Sequence, residues 1–360
     1  MFRDLGDLTA DRLGDALMAA GAAACAPTTV AIEAIDDGSG FLGSLARVRL
    51  TWPEPGDGPV SIIAKLPTTI PENQAIVDRF DYDRREAGVY RELRPWERTS
   101  SPRAVAQWWD ETTRRGWLLL EDLDSYAGGD GVAGATEAEA RAAVVALARW
   151  HGAFWNDPRL ASFDWLPEST DPLVADYGMI FDVTWDMCVD RLGGVDRSLD
   201  TTVRRARRWF DTAVEEFARG DRTLVHGDAR LDNLRFRSTA PDGSPAGGLE
   251  AALLDFQLAS HGRGVYDVAF FCAGSLDTQT RRRLEPELLD LYGSTLAALG
   301  HPVDEAELWR DYRLGHMLNL PNPVSALAVV TPADERGATF LRRNAERGLA
   351  AVADHVDLLH

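Results

Sequence analysis

The stretch Leu224-Val225-His226-Gly227-Asp228-Ala229-Arg230-Leu231-Asp232-Asn233, followed later by Leu253-Leu254-Asp255-Phe256-Gln257, decides how this chain is read. An apolar run leads into His226-Gly227-Asp228, an asparagine stands five positions after the aspartate, and a second apolar run ends in Asp255-Phe256. Asn233 to Arg237 and Ala251 to Phe256 read as strands flanking a Pro-, Gly- and Ser-rich loop from Ser238 to Gly248, which predicts a hairpin with a long tip. Either aspartate alone is an ordinary turn or strand-end residue. Their joint spacing with the asparagine is what calls for a chemical explanation.

That spacing resembles a kinase catalytic loop followed by its metal-binding loop. The resemblance implies that Asp228 accepts the proton of an attacking hydroxyl, while Asn233 and Asp255 hold Mg²⁺ against the phosphates of ATP. Amide and carboxylate oxygens are the hard donors magnesium requires.

Working outward, Gly38-Ser39-Gly40-Phe41-Leu42-Gly43 is a G-x-G-x-x-G run. A dinucleotide site needs a helix after such glycines. Here Ala46, Val48, Leu50 and Trp52 alternate with Arg47, Arg49 and Thr51, so the glycines sit in a strand-to-strand turn, the arrangement of a lid over phosphates. Ile62-Ile63-Ala64-Lys65 is an apolar strand with a lysine near its end, expected to hold nucleotide phosphates. Glu86, on the next helix, is its expected partner, with Glu92 as a substitute. Gly116 to Leu120 reads as one more strand, running into Glu121, Asp122 and Leu123.

Taken together, residues 38 to 271 resemble the aminoglycoside phosphotransferase and choline kinase superfamily. Within it, Asp255-Phe256-Gln257 with Gly264 to Phe271 is similar to the ecdysteroid-kinase-like group. The resemblance implies an α+β, protein-kinase-like fold of two lobes: residues 1–123, a small antiparallel β-sheet lobe binding nucleotide, with a hinge near 119–124, and residues 124–360, a larger, mostly helical lobe carrying the catalytic hairpin and acceptor site. It further implies a nucleotide site built from Gly38, Gly40, Gly43, Lys65 and Glu86, with adenine against the backbone near Glu121 and Leu123. Asp267 is implied to buttress the catalytic loop, and His226 to support it. Ala229, where relatives often carry a bulky residue, and Gln257, where some protein kinases have glycine, depart from the pattern.

Helical spacing predicts a helix over residues 8 to 20, capped by Thr9 and ended by Gly21, and a charged helix from about Pro71 to Leu93. A capping-box pattern, Thr136 with Glu139, opens a helix reaching Trp155.

Composition narrows the partners. Thirty-eight Lys plus Arg against 57 Asp plus Glu give a net charge of −19 over 360 residues, which repels nucleic acid and anionic membrane surfaces. No apolar run reaches the length of a membrane span. The three cysteines, Cys25, Cys188 and Cys272, are widely spaced with no metal pattern, which fits a reducing, cytoplasmic setting.

Only twelve positions separate Asp255 from Asp267, too few for the long segment on which protein kinases present a peptide. The expected reaction is therefore transfer of the γ-phosphoryl of Mg-ATP to a hydroxyl of a small acceptor that is aminoglycoside-, choline- or steroid-like. Trp155, Trp165, Trp185, Tyr177, Tyr312 and His316 are candidates for an aromatic acceptor wall or for core, and Asp182 and Asp186 for contacts to a cationic acceptor. The competing readings are a catalytically silent nucleotide-binding scaffold and a protein kinase. The acceptor's identity, ATP against GTP and the oligomeric state stay open.

Overall fold

The computed structural model describes residues 2–35, 43–240, 248–332 and 334–359. The chain divides into two units. Met1–Ser125 with Phe256–Leu258 forms the first, and Tyr126–Asp255 with Ala259–His360 the second.

The first unit begins with helix α1 (Ala10–Ala19), whose N-terminus is capped by the Thr9 hydroxyl. Gly21 leaves the helix in the left-handed region that favours glycine. Five strands follow: β1 (Thr29–Ala34), β2 (Gly43–Thr51), β3 (Ser61–Pro67), β4 (Ala104–Asp110) and β5 (Arg115–Glu121). They form an antiparallel sheet of order β1-β2-β3-β5-β4. The period-two pattern of β2 explains why it is a half-buried strand: Ala46 is buried, and Val48 and Leu50 turn inward against Ile62, Ala64, Leu66, Trp117 and Leu119 and against Leu13 and Leu17 of α1. Strand β4 is absent from the sequence reading above. Its Ala104-Val105-Ala106-Gln107 half is poor in strong strand formers, and it is held by pairing with the apolar β5.

The helix expected over 71–93 is broken. Helix α2 (Pro71–Phe80) and helix α3 (Tyr82–Gly88) are separated by Asp81 at φ +58°. Aspartate tolerates this conformation, and its carboxylate meets Arg114 at 2.5 Å. A π-helical turn, Val89–Leu93, completes the segment.

In the second unit, helix α4 (Glu137–Ala153) starts at the expected capping box, with Thr136 and Glu139 bonding reciprocally. Helices α5 (Pro172–Ala175), α6 (Tyr177–Leu192) and α7 (Arg197–Phe217) lead to strand β7 (Thr223–Val225), which pairs with β10 (Ser260–Gly262). The predicted hairpin is β8 (Leu234–Ser238) with β9 (Leu249–Leu253), flanked by the two-residue β6 (Ala127–Gly128). Strand β9 stops two residues before Asp255, which adopts φ +65° and turns the chain. Helices α8 (Val265–Ser275), α9 (Thr278–Ala298), α10 (Glu305–Asn319), α11 (Pro321–Val329) and α12 (Glu335–His355) complete the unit. Helix α4 packs on α9, α8 on α10 and α6 on α11. Trp165, Trp185, Tyr312 and His316 are buried, and Trp155 stacks on His301. Of the aromatic residues proposed for an acceptor wall, these serve the interior and surface packing.

Candidate active site

Strand β7 leads into His226-Gly227-Asp228, and the second unit holds that loop by its backbone. Asp267, at the start of α8 and fully buried, accepts the N–H of His226 at 2.6 Å on one carboxylate oxygen and that of Gly227 at 2.9 Å on the other. His151 Nε2 stands 2.9 Å from the same carboxylate, and its Nδ1 is 3.0 Å from the Tyr292 hydroxyl. Trp150 Nε1 donates to the Leu224 carbonyl at 2.7 Å. Gly227 sits at φ +84°, a conformation that charges no penalty to glycine. The turn into Asp228 is thus covered from both helices.

His226 is engaged through both ring nitrogens. Its Nε2 faces the Leu254 carbonyl at 2.8 Å, and its Nδ1 accepts the N–H of Asp228 at 3.3 Å. One neutral tautomer satisfies both bonds. Asn233 Nδ2 donates to the carbonyl of Asp228 at 3.0 Å and to its Oδ2 at 2.9 Å. Arg230 approaches the same carboxylate at 3.5 Å.

The hairpin sets Asn233 and Asp255 near one another in register. Leu234 pairs with Leu253, and the carbonyl of Asn233 accepts the N–H of Leu254 at 2.9 Å, so Asn233 and Asp255 are carried at the same end of the hairpin. Asp255 holds a positive φ without being glycine, as Asp81 does, a conformation that aspartate tolerates. With Asn233 Nδ2 spent on Asp228, its Oδ1 is the atom left to meet a cation. An amide oxygen and a carboxylate form a donor set that fits magnesium.

In the first unit, Lys65 lies on β3 opposite Leu45 and Leu118. Its Nζ is 2.7 Å from Oε2 of Glu86, whose side chain is 4% exposed. Glu92 is exposed and pairs with Arg91 instead. Lys65 is also the sole lysine in the chain, every other basic side chain among the 38 being arginine. Arginine and lysine are not interchangeable where a compact, single-point charge is wanted, and this count is a signal the sequence already carried.

Glu86 Oε1 also accepts the backbone N–H of Phe256 at 3.4 Å, and Asp83, one helical turn earlier on α3, accepts from the side-chain amide of Gln257 at 3.1 Å. The residue after Asp255-Phe256 is therefore tied to α3 by its side chain, a use that glycine could not supply. Burial pushes the Asp83 carboxyl up to about 6, against the opposing pull of Lys65, the Gln257 bond and Arg115. Asp83 was not singled out from sequence, although its spacing of three from Glu86 places both on one helix face.

Gly38 and Gly40 lie outside the described residues. Gly43 opens β2 opposite Pro67, and a Cβ there would come within 3.0 Å of the Leu66 carbonyl. Glu121 ends β5, its N–H given to the Arg103 carbonyl at 2.8 Å. Asp122 binds Arg47 at 2.8 Å and the Ser61 hydroxyl at 2.5 Å, which fixes the strand end before Leu123. Asp182 and Asp186 are each 3.0 Å from an arginine of α7, Arg207 and Arg204 respectively. Their charge is offset where they stand.

Residues 180–301, which carry Asp228, Asn233, Asp255 and Asp267, match the ecdysteroid kinase-like family. No curated protein matches the chain. Among solved structures, an ethanolamine kinase from Plasmodium vivax superposes with a TM-score of 0.55 at 13% identity, covering 90% of this chain and 82% of that one. A choline kinase from Cryptosporidium parvum gives 0.51 at 11% identity, with 88% of each chain covered. An aminoglycoside phosphotransferase in complex with GDP and kanamycin gives 0.51 at 15% identity, covering 84% of this chain and 86% of that one. The chain has the α+β, protein-kinase-like fold of these small-molecule kinases.

Proposed function

We propose that this protein is a small-molecule kinase that transfers the γ-phosphoryl of Mg-ATP to a hydroxyl of a small organic acceptor. The observation that carries the reading is the placement of the chain's sole lysine: it stands on β3 in contact with a buried glutamate, where a nucleotide phosphate would need it. Lys65 holds the phosphates and Glu86 orients it. Gly38, Gly40 and Gly43 supply the phosphate lid, and the backbone near Glu121 and Leu123 the adenine site.

Asp228, positioned by Asn233, takes the acceptor's proton as the acceptor oxygen forms its bond to the γ-phosphorus; the bond from that phosphorus to the β–γ bridging oxygen breaks, and ADP leaves. Such a base contributes about 10² to 10⁴ in rate. Asn233 and Asp255 would hold magnesium, which when bound neutralises phosphate charge.

Three free cysteines suit a reducing cytoplasm, and among the described residues no helix is long and apolar enough to cross a membrane.

The test is phosphoryl transfer from Mg-ATP and from Mg-GTP to kanamycin, choline, ethanolamine, a hexose and a polyhydroxylated steroid, with Asp228→Asn beside the wild type. The variant is expected to fold and bind nucleotide but to lose transfer. Unchanged turnover would remove Asp228 from its role. Nucleotide binding with no transfer to any acceptor would favour the silent scaffold, and transfer confined to peptides the protein-kinase alternative.

A further inference from the structure

We infer that Gln257, held by Asp83 of α3, is a positioning residue for Asp255 and so sets the affinity of the metal site. This rests on the kinase reading above and adds to it a pair that takes no part in the chemistry itself.

Asp255 lies where the chain passes from one unit to the other: Phe256–Leu258 pack with the first unit, although β9 and β10 on either side belong to the second. Its direction is therefore set by what holds the peptide before and after it. Upstream, Leu254 is pinned twice. Its N–H goes to the Asn233 carbonyl at 2.9 Å, and its own carbonyl faces His226 Nε2 at 2.8 Å. Downstream, the Phe256 N–H reaches Glu86 Oε1 only at 3.4 Å, near the limit of a hydrogen bond, and the Phe256 ring meets Tyr90 edge-on at 5.3 Å. A shorter bond follows, from Gln257 Nε2 to Asp83 Oδ1 at 3.1 Å. Gln257 is 6% exposed, so its amide is held in the interior.

Asp83 shows what this bond serves. Its Oδ2 is buried and accepts no hydrogen bond, and a carboxylate left half-satisfied in a closed site costs the fold free energy. Asp83 and Glu86 stand three positions apart on α3, so one helix face receives both the Phe256 N–H and the Gln257 amide. Two grips from one helix fix the rotation of the turn after Asp255 as well as its place, where a single grip would leave a hinge. Outer supports of this kind around a metal ligand are typically worth about 10- to 100-fold in metal affinity.

The experiment measures Mn²⁺ binding by electron paramagnetic resonance in the presence of a non-hydrolysable ATP analogue. It compares the wild type, Gln257→Met, Asp83→Ala, Asp83→Asn and the double variant Gln257→Met/Asp83→Ala. Manganese takes the same oxygen donors as magnesium. Gln257→Met keeps the length of the side chain but not the donor, and is expected to raise the Mn²⁺ Kd about tenfold. Asp83→Ala is expected to do the same without lowering the melting temperature at pH 8, because it also removes an ill-satisfied carboxylate; its loss of affinity then cannot be put down to unfolding. The double variant is expected to be no weaker than either single one, as two halves of one contact require. Asp83→Asn, whose amide oxygen can still accept from Gln257, is expected to recover most of the affinity. Unchanged Mn²⁺ affinity in Gln257→Met overturns the inference, as do losses that multiply in the double variant, or an Asp83→Asn as weak as Asp83→Ala. A wild type that binds Mn²⁺ and nucleotide but phosphorylates no acceptor refutes the kinase reading, while the order of these Mn²⁺ affinities still decides the role of Gln257. A wild type that binds no Mn²⁺ alongside nucleotide overturns both.

Discussion

Lys65 Nζ contacts Glu86 Oε2 at 2.7 Å, and the glutamate is almost wholly withdrawn from solvent. Removing one member of such a pair leaves an uncompensated buried charge, at a cost of about 3 kcal/mol. Lys65→Met is therefore expected to lower stability in urea unfolding and to abolish turnover. The double variant Lys65→Met/Glu86→Gln is expected to regain much of the stability and none of the turnover. Equal losses in both would show that the contact is worth nothing to the fold.

Because Lys65 is the sole lysine, an amine-specific reagent reports on this one side chain apart from the α-amino group. Saturating Mg-ATP is expected to protect it from modification by at least about tenfold, as read by peptide mass spectrometry, since a bound phosphate occupies the ammonium group. Equal labelling with and without nucleotide would place the phosphates elsewhere.

Asp267 satisfies two backbone donors at once. In Asp267→Asn one acceptor becomes a donor facing a donor, and a buried N–H loses its partner, which costs about 2 kcal/mol. Loosening the loop is expected to lower kcat by about 10², because small misplacements of a reacting group carry penalties of that size. Wild-type turnover in a stably folded variant would show that the loop needs no such anchor.

The Asp83 carboxyl, pushed up to about 6 in the folded chain from an ordinary 3.8, makes its charged form a burden on the fold. The native state binds the proton more tightly than the unfolded chain, so the stability this group contributes is greatest below pH 4 and is lost as pH rises through 6. Asp83→Asn is expected to raise the melting temperature at pH 8 and to do little at pH 4. A shift of the same size at both pH values would contradict this.

His316 has the opposite sign. Burial, with His355 and Arg281 adding positive charge, holds it well below the ordinary 6.5, and its ring stacks on His355 with centroids 4.7 Å apart. The unfolded chain takes up the proton first, so this contribution is present above pH 6.5 and falls away below it. Between pH 7 and pH 5 the urea midpoint of the wild type is expected to lose ground relative to that of His316→Leu, and parallel profiles would contradict this.

The local elements follow from short-range rules that sequence displays directly. The alternation of β2, the Thr136–Glu139 box of α4 and the Pro- and Gly-rich break between β8 and β9 each depend on residues within a few positions of one another, and the structure forms them where those rules put them. The same holds for the chemistry-bearing stretches: Lys65 at a strand end, His226-Gly227-Asp228 after β7 and Asp255 after β9 are separate runs whose meaning lies in their spacing.

What sequence could not display was set by contacts between distant segments. Strand β4 exists because β5 offers it a partner, the break at Asp81 because Arg114 and the helix geometry meet there, and the choice of Glu86 over Glu92 because only the former faces Lys65. Asp182 and Asp186 read as open charge until the packing of α6 on α7 paired them with arginines. Side-chain direction and burial are long-range quantities, and the free energies that decide them, desolvation and hydrogen bonding in a closed interior, are absent until the chain has folded.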